Sequence, residues 1–293
     1  MIPLEEGVAI ARLTTIGTGG PARYFARPGT LEELEEVLAW AGREGVAVET
    51  IGLGSNVLAA DAGVDALVLR LTGGLASASV EGELLVAGGG AKNAVCLHRA
   101  REAGLGGFEF ASAIPGTAGG GVRMNAGAYG SDWQAVVVDA IVVGAAGRRT
   151  LTAGELGFAY RRSGLEPGDV VAQVRFRLFP KRPDEIKAEV AELLGRRKAT
   201  QPTTKRTFGS VFKNPDTGPG AGSLVEQCGL KGFRAGGAVI SERHANFIEN
   251  AGGAKTADAL ALMAEARRCV RERFGIELEH EVRLLGAIEL PPL

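Results

Sequence analysis

The amino-acid sequence predicts an α+β fold with more than one domain, on three observations. Stretches of helical periodicity and stretches of strand character are mixed along 293 residues, an interleaving that puts helices and sheet into shared cores. Strand signals dominate from residue 65 to 179. Composition shifts near Pro180 to Pro183 and again in the polar run "ATQPTTKRTFGS" (199–210), which marks a change of domain, and the length suffices for about two domains.

The elements follow in chain order. "TLEELEEVLAW" is a helix: Thr30 with Glu33 three residues on forms a capping box, and Leu31, Leu34, Val37 and Leu38 share one face. "DALVLRL" (65–71) and "ELLVAG" (83–88) are strands, alternating or rich in β-branched residues. "KNAVCLHRAREAG" is a helix that stops at Gly104. "AVVVDAIVV" (135–143) and "DVVAQVRFRLF" (169–179) are strands, and "PDEIKAEVAELLGRRK" from Pro183 is a helix. "ANFIEN" (245–250) is a strand. The helix "TADALALMAEARRCVRERFG" runs from Thr256 to a C′ glycine, Gly275, and "EVRLLG" (281–286) closes the chain as a strand.

Composition excludes several classes of function. A formal net charge of −1 gives no general electrostatic footprint for nucleic acid or an anionic membrane. Cys96, Cys228 and Cys269 are scattered, no Cys-x-x-Cys occurs and there are three histidines, so neither a metal site nor a disulfide framework is expected. The start "MIPLEEGVAI" has no basic region followed by an apolar run, and no segment reaches the roughly 18 apolar residues of a membrane span. A soluble, cytoplasmic, monomeric protein is the expectation. Glycine is the outlier: 44 residues, about double the usual share of about 7%, with no collagen period.

Glycines concentrated in loops imply unusual backbone angles or close approach of a ligand to the main chain. In "ETIGLGSNVL" a strand end runs into Gly52, Leu53, Gly54, Ser55 and Asn56, a nest of amides suited to a phosphate or else a plain turn. "AIPGTAGGGVRMNAGAYG" (113–130) holds six glycines and one charged residue. Its turn at Pro115-Gly116-Thr117 and the run Gly119, Gly120, Gly121 can pass against a flat ring or a pyrophosphate, with Asn125 at the ring edge; the alternative is a tight crossing of two backbones. "TIGTGGPA" fits G-x-G-x-x-A at Gly17, Gly19 and Ala22, but Pro21 and the lack of an apolar strand before it argue against a nicotinamide fingerprint.

Three further pieces carry chemistry. In "FAYRRSG" (158–164), Arg161 and Arg162 beside Tyr160 suit an anionic group or form a solvated loop. In "TFGSVFKNP" (207–215), Ser210 lacks the G-x-S-x-G setting of a hydrolase nucleophile but can serve as a proton donor to a strongly basic intermediate. In "ELEHEVRLLG", Glu277, Glu279 and Glu281 alternate onto one strand face, read by itself as an exposed sheet face.

Taken in series, "TIGTGGPA", "GLGSNVL", "IPGTAGGGVRMNAGAYG", "YRRS", "GSVFKNP", "AGSLVEQCGLKG", "ISERHANFIEN" and "EHEVRLLG" resemble the UDP-N-acetylenolpyruvoylglucosamine reductase (MurB) family over most of the chain. The resemblance implies non-covalent FAD in a domain of the vanillyl-alcohol-oxidase (PCMH) type, NADPH as hydride donor, and reduction of an enolpyruvyl ether on a UDP-sugar to UDP-N-acetylmuramate for peptidoglycan. It implies two FAD-binding lobes, 1–72 and 73–197, and a substrate-binding domain, 198–293, with the strand from about 281 packing back on the FAD domain.

Residue by residue, the resemblance assigns FAD binding to Gly52, Leu53, Gly54, Ser55, Asn56, Ser112, Ile114, Pro115, Gly116, Gly119, Gly120, Gly121, Asn125, Ala126, Gly127 and Arg283. Arg161 matches the arginine of the "YR" motif, Ser210 the proton-donating serine of "GSxF", and Glu281 the glutamate of "EVR". Hydride addition to the outer vinyl carbon leaves an enolate-like carbanion; Arg161 and Glu281 would stabilise it and Ser210 protonate it. Lys213, Asn214, His244 and Asn246 are the substrate candidates, His244 reading equally as a structural histidine. Two features depart from the wider pattern. Arg162 stands where many members carry an acid, and only 39 residues separate Arg161 from Gln201, which places the chain in the shorter, type II branch without a clamping tyrosine. A hydroxy-acid or alcohol oxidase on the same scaffold, or a non-catalytic nucleotide binder, would keep the glycine stretches without needing Ser210 and Glu281.

Overall fold

The computed structural model describes residues 2–290. The fold is α+β. Six α-helices lie among the described residues: α1 (Leu31–Arg43), α2 (Asn93–Glu102), α3 (Ala118–Met124), α4 (Pro183–Thr200), α5 (Ala221–Gln227) and α6 (Thr256–Phe274). The chain forms two compact units, neither contiguous in sequence. The first takes the residues up to Glu5, Tyr24–Leu53 and Ala66–Arg197; the second takes Glu6–Arg23, Gly54–Asp65 and the chain from Lys198.

The first unit is built on a five-stranded antiparallel sheet, in the order Gly147–Thr152, Val137–Gly144, Val170–Arg177, Leu84–Gly88, Ala78–Glu81. Its inward side chains, such as Leu85, Ala87, Val174 and Phe176, are fully buried. Four aromatic residues cluster here. Phe108 lies 5.5 Å from Trp133 and 5.0 Å from Phe176, and Phe110 lies 5.5 Å from Trp133, ring centre to ring centre. α3 packs on Val170–Arg177 and α2 on Ala78–Glu81. α1 buries Leu34, Val37 and Ala41 in a second cluster with Leu67, Leu69, Val143 and Val170. Its capping box forms as the sequence predicts: Glu33 N donates to Thr30 Oγ1 at 3.2 Å, and Thr30 N donates to the Glu33 carboxylate at 3.2 Å.

The second unit holds a four-stranded antiparallel sheet, Thr207–Ser210, Phe247–Asn250, Ala238–Ile240 and Arg234–Ala235 in order. α6 lies on it through Leu262, Met263, Ala266 and Val270. Distant segments join this unit for specific reasons. Val57–Ala59 pairs in parallel with Arg283–Leu285. The Asp61 carboxylate accepts from Thr256 N (2.9 Å) and Ala257 N (3.0 Å), satisfying two of the open amides at the start of α6. Thr256 Oγ1 donates to Ala59 O at 2.6 Å and bonds Thr18 Oγ1 at 2.9 Å, in a fully buried polar network. α6 ends at Gly275, whose φ of 68° makes it the left-handed cap.

The sequence reading is corrected in three places. α3 and α5, seven residues each, are too short to show helical periodicity. "TIGTGGPA" leads into a strand, Pro21–Ala26, in keeping with the reading against a nicotinamide fingerprint there. The final strand is only Arg283–Leu285. Residues 276–281 carry a single bridge, His280 to Phe212, so Glu277, Glu279 and Glu281 do not share a strand face; the first two are exposed and Glu281 is half-buried. Among the described residues no helix is long and apolar enough to cross a membrane.

The capping geometry sets a test of this packing. Asp61→Ala strips α6 of two amide partners and should lower unfolding stability by about 1–2 kcal/mol, read as an earlier midpoint in urea; an unchanged midpoint would contradict the assigned cap.

Candidate active site

In the first unit the glycine-rich stretch is not the flat run its composition suggests. Ser112 ends a short 3₁₀ turn (Glu109–Ala113), Ile114, Pro115 and Gly116 form a loop, and Gly119, Gly120 and Gly121 make the first turn of α3. Thr117 caps that helix, accepting from Gly120 N at 3.3 Å. The loop is tied down by Asn93 N to Gly116 O (3.1 Å), Ala118 N to Ala91 O (2.9 Å) and Gly119 N to Gly89 O (2.9 Å).

The glycines then divide by what a side chain would meet. A Cβ at Gly121 would lie 2.1 Å from the Trp133 ring, one at Gly119 2.9 Å from Gly89 O, and one at Gly52 2.6 Å from Thr117 Oγ1. These three are glycine because the protein packs against them; Gly119 meets a second backbone, the crossing the sequence left open, while Gly121 and Gly52 meet side chains. At Gly120 and Gly116 an added Cβ meets nothing nearer than 3.4 Å. Nothing within the protein requires those two positions to be bare, and Gly120 is exposed. Beside them, Ser112 Oγ and Asn93 Oδ1 are buried without a hydrogen-bond partner among the described residues; Asn93 Nδ2 donates to Ile114 O at 2.9 Å. Bare backbone with unsatisfied polar atoms next to it fits a flat, polar-edged group. Asn93 gives no signal of this kind in the sequence, since a single Asn at a helix start is unremarkable.

Arg161 occupies a two-residue turn closed from both sides: Ala159 N donates to Arg162 O at 3.0 Å, and Arg162 N donates to Ala159 O at 3.2 Å. Its φ is 57°, a left-handed conformation that costs a non-glycine residue about 1–2 kcal/mol. The guanidinium donates through Nη2 to Gly127 O at 3.1 Å and lies 4.9 Å from the Tyr160 ring centre. Gly127 sits in a hairpin, Gly127–Ala128 against Ser131–Asp132, and Ala126 bridges it to α3 by donating to Gly121 O at 2.9 Å.

Asn125 departs from its expected place at a ring edge. Its side chain is 2% exposed. It donates to Ala159 O at 3.2 Å and Asp132 Oδ2 at 3.3 Å, and accepts from Gln134 N at 3.0 Å. Its amide is used within the protein, so it acts as a support.

In the second unit, Gly54, Ser55 and Asn56 follow Gly52 and Leu53 in the loop before Val57–Ala59. Gly54 has φ of 65°, and a Cβ there would lie 2.1 Å from Leu13 O. Ser210 sits at a register shift in its strand: Thr207 faces Glu249 and Ser210 faces Phe247. Gly209 absorbs the bulge with φ of 83°, the means by which a bulge re-aims the next side chain. Two backbone bonds join the segment that follows Ser210 to that of Glu281: Glu281 N donates to Val211 O (2.8 Å) and Lys213 N to Glu279 O (2.9 Å). Arg283 N donates to Asn56 O (3.1 Å). Asn56 Nδ2 adds a bond to Glu281 O at 3.2 Å.

The substrate candidates are placed differently from one another. Lys213 Nζ pairs with Glu279 at 2.5 Å, with the lysine side chain 18% exposed. Asn214 is exposed and accepts from Ala221 N at 3.0 Å, capping α5. His244 Nδ1 accepts from Asn246 N at 3.2 Å; burial, with Lys231 nearby, holds its pKa below the ordinary histidine value, so the ring is neutral at pH 7. Asn246 is 4% exposed, donates to Phe212 O at 2.8 Å and accepts from Phe212 N at 2.9 Å, so its amide is used within the protein. This pair of hydrogen bonds holds the segment that follows Ser210.

Comparison with known proteins shows the family. The FAD binding domain family matches residues 22–152, and the UDP-N-acetylenolpyruvoylglucosamine reductase C-terminal domain family matches residues 201–285. UDP-N-acetylenolpyruvoylglucosamine reductase 2 of Symbiobacterium thermophilum is 46% identical over 285 residues, covering 97% of this chain and 92% of its own. The reductase of Novosphingobium aromaticivorans is 42% identical, covering 97% and 95%. The crystal structure of UDP-N-acetylenolpyruvylglucosamine reductase (MurB) from Thermus caldophilus superposes with a TM-score of 0.85 at 35% identity, covering 97% of this chain and all of that one. The chain is therefore an FAD oxidoreductase that belongs to the UDP-N-acetylenolpyruvoylglucosamine reductase family.

Proposed function

We propose that this protein reduces UDP-N-acetylglucosamine enolpyruvate to UDP-N-acetylmuramate at the expense of NADPH, a step of peptidoglycan precursor synthesis in the cytoplasm. The overall change adds a hydride and a proton across the vinyl double bond and releases NADP⁺. The observation that supports the reading is the backbone pairing of the segment that follows Ser210 with the segment that carries Glu281, through Val211 with Glu281 and Lys213 with Glu279, next to the bulge that presents Ser210. An oxidase of alcohols or hydroxy-acids would have no need of Ser210 and Glu281.

FAD, when bound, would supply the hydride chemistry at the outer vinyl carbon, with NADPH as its reductant. Ser112, Asn93 and the bare backbone at Gly116 and Gly120 would hold it, and Gly54, Ser55 and Asn56 are candidates by resemblance. Ile114, Pro115, Ala126, Gly127 and Arg283 remain candidates by resemblance, while Gly52, Gly119 and Gly121 serve by allowing the surrounding packing.

Negative charge then develops at the inner carbon next to the carboxylate. The Arg161 guanidinium stabilises it, prepaid in orientation by the turn that holds it. Ser210 Oγ gives its proton to the inner carbon; a hydroxyl is a weak acid but the carbanion is a strong base. Glu281 supports the enol form of the same carboxylate. Lys213 meets the diphosphate by exchanging its bond to Glu279.

Two experiments test this reading. Ser210→Ala should keep its flavin and let NADPH reduce it at the normal rate, while reoxidation by the enolpyruvyl sugar slows by about 10²–10⁴-fold; unaltered reoxidation would remove Ser210 as the donor. The glycines give a paired test. Gly120→Val should fold with little loss of stability but purify without flavin, whereas Gly121→Ala should lose several kcal/mol of stability through overpacking against Trp133. A yellow, fully loaded Gly120→Val protein would contradict the seat proposed for FAD.

A further inference from the structure

The geometry points to Asn125 and Arg123, at the C-terminal end of α3, as positioning residues for Arg161. This rests on the role proposed above for Arg161. The turn that carries Arg161 is closed by its own two backbone bonds, yet it puts a non-glycine residue at φ of 57°, a conformation that persists only where the surroundings over-determine it. Those surroundings come from residues 123–127. Asn125 Nδ2 donates to Ala159 O at 3.2 Å, at the near stem of the turn. Arg123 holds the far side: Nη1 donates to Leu165 O (3.0 Å) and Glu166 O (3.1 Å), and Nη2 to Asp169 O (2.5 Å). Ser163 Oγ returns a bond to Arg123 O at 3.0 Å. Arg161 itself reaches Gly127 O.

All of these bonds but that of Arg161 to Gly127 start or end on Arg123 or Asn125, which close α3, and the opposite end of the same helix is the turn bearing Gly120. A helix of two turns is stiff, so its two ends move together. The side chain of Asn125 is locked in turn by Asp132 and Gln134. Arg123 and Asn125 thus set where the guanidinium of Arg161 stands without touching substrate.

A double-mutant cycle on the flavin-loaded enzyme tests this, reading single-turnover reoxidation by UDP-N-acetylglucosamine enolpyruvate. Asn125→Ala and Arg123→Ala should each keep NADPH reduction of the flavin and slow reoxidation by about 10–100-fold, the penalty of a misplaced group. In an Arg161→Ala background the same changes should slow it no further. Losses that multiply with that of Arg161→Ala would overturn the inference, because the two residues would then act independently of Arg161. If Arg161→Ala alone leaves reoxidation intact, the role proposed for Arg161 fails and this inference with it. Asn125→Asp covers the case in which Asn125→Ala does not fold. It keeps the side-chain shape and the acceptor for Gln134 N, but when ionised it cannot donate to Ala159 O and faces Asp132. Its reoxidation rate should rise as pH falls and the new carboxyl regains a proton to donate; a loss independent of pH would overturn the inference.

Discussion

The rest of this site depends on one contact, that of Gly121 with Trp133. The two approach so closely that a methyl group at Gly121 would fall 2.1 Å from the indole ring. The indole is fully buried and belongs to the aromatic cluster with Phe108, Phe110 and Phe176. A protein with 5% aromatic residues has set four of them where they anchor a seven-residue helix that could not hold its place by propensity alone, three of its residues being glycine. The position of α3 decides both the bare first turn and the loop tied to its last one.

The glycine-rich stretch therefore answers to two demands that composition cannot tell apart. Gly121, Gly119 and Gly52 admit neighbouring protein atoms, and Gly120 and Gly116 leave backbone open. A sequence gives the same letter for both. The long elements were legible: Thr30 with Glu33, the face of α1, and Thr256 to Gly275 each declare themselves through capping chemistry or periodicity. α3 was not, because seven residues rich in glycine have no apolar stripe.

The site residues were legible unevenly, for a related reason. Motif resemblance singles out Ser210, Glu281 and Arg161, whose chemistry is in the side chain. It does not distinguish residues that meet a ligand from those that hold other residues, so Asn125 and Asn246 read as ligands although both amides are buried and used internally. Asn93 escaped notice for the converse reason, since a single Asn is unremarkable at a helix start. The packing also draws 54–65 into the unit that holds the C-terminal strand, through Arg283–Leu285 and Asp61, and a partner more than 190 residues away in sequence leaves no local signal.

The account's central claim is that backbone made bare by glycine seats a flavin whose electrons go to an enolpyruvyl sugar. The most direct measurement is the visible spectrum of the wild-type protein under anaerobic conditions, with NADPH added first and UDP-N-acetylglucosamine enolpyruvate second. Flavin absorption that bleaches with the first addition and returns with the second, at one equivalent of sugar nucleotide, is the predicted result. Absorption that stays bleached until air is admitted, or a protein that never binds the flavin, would contradict the account.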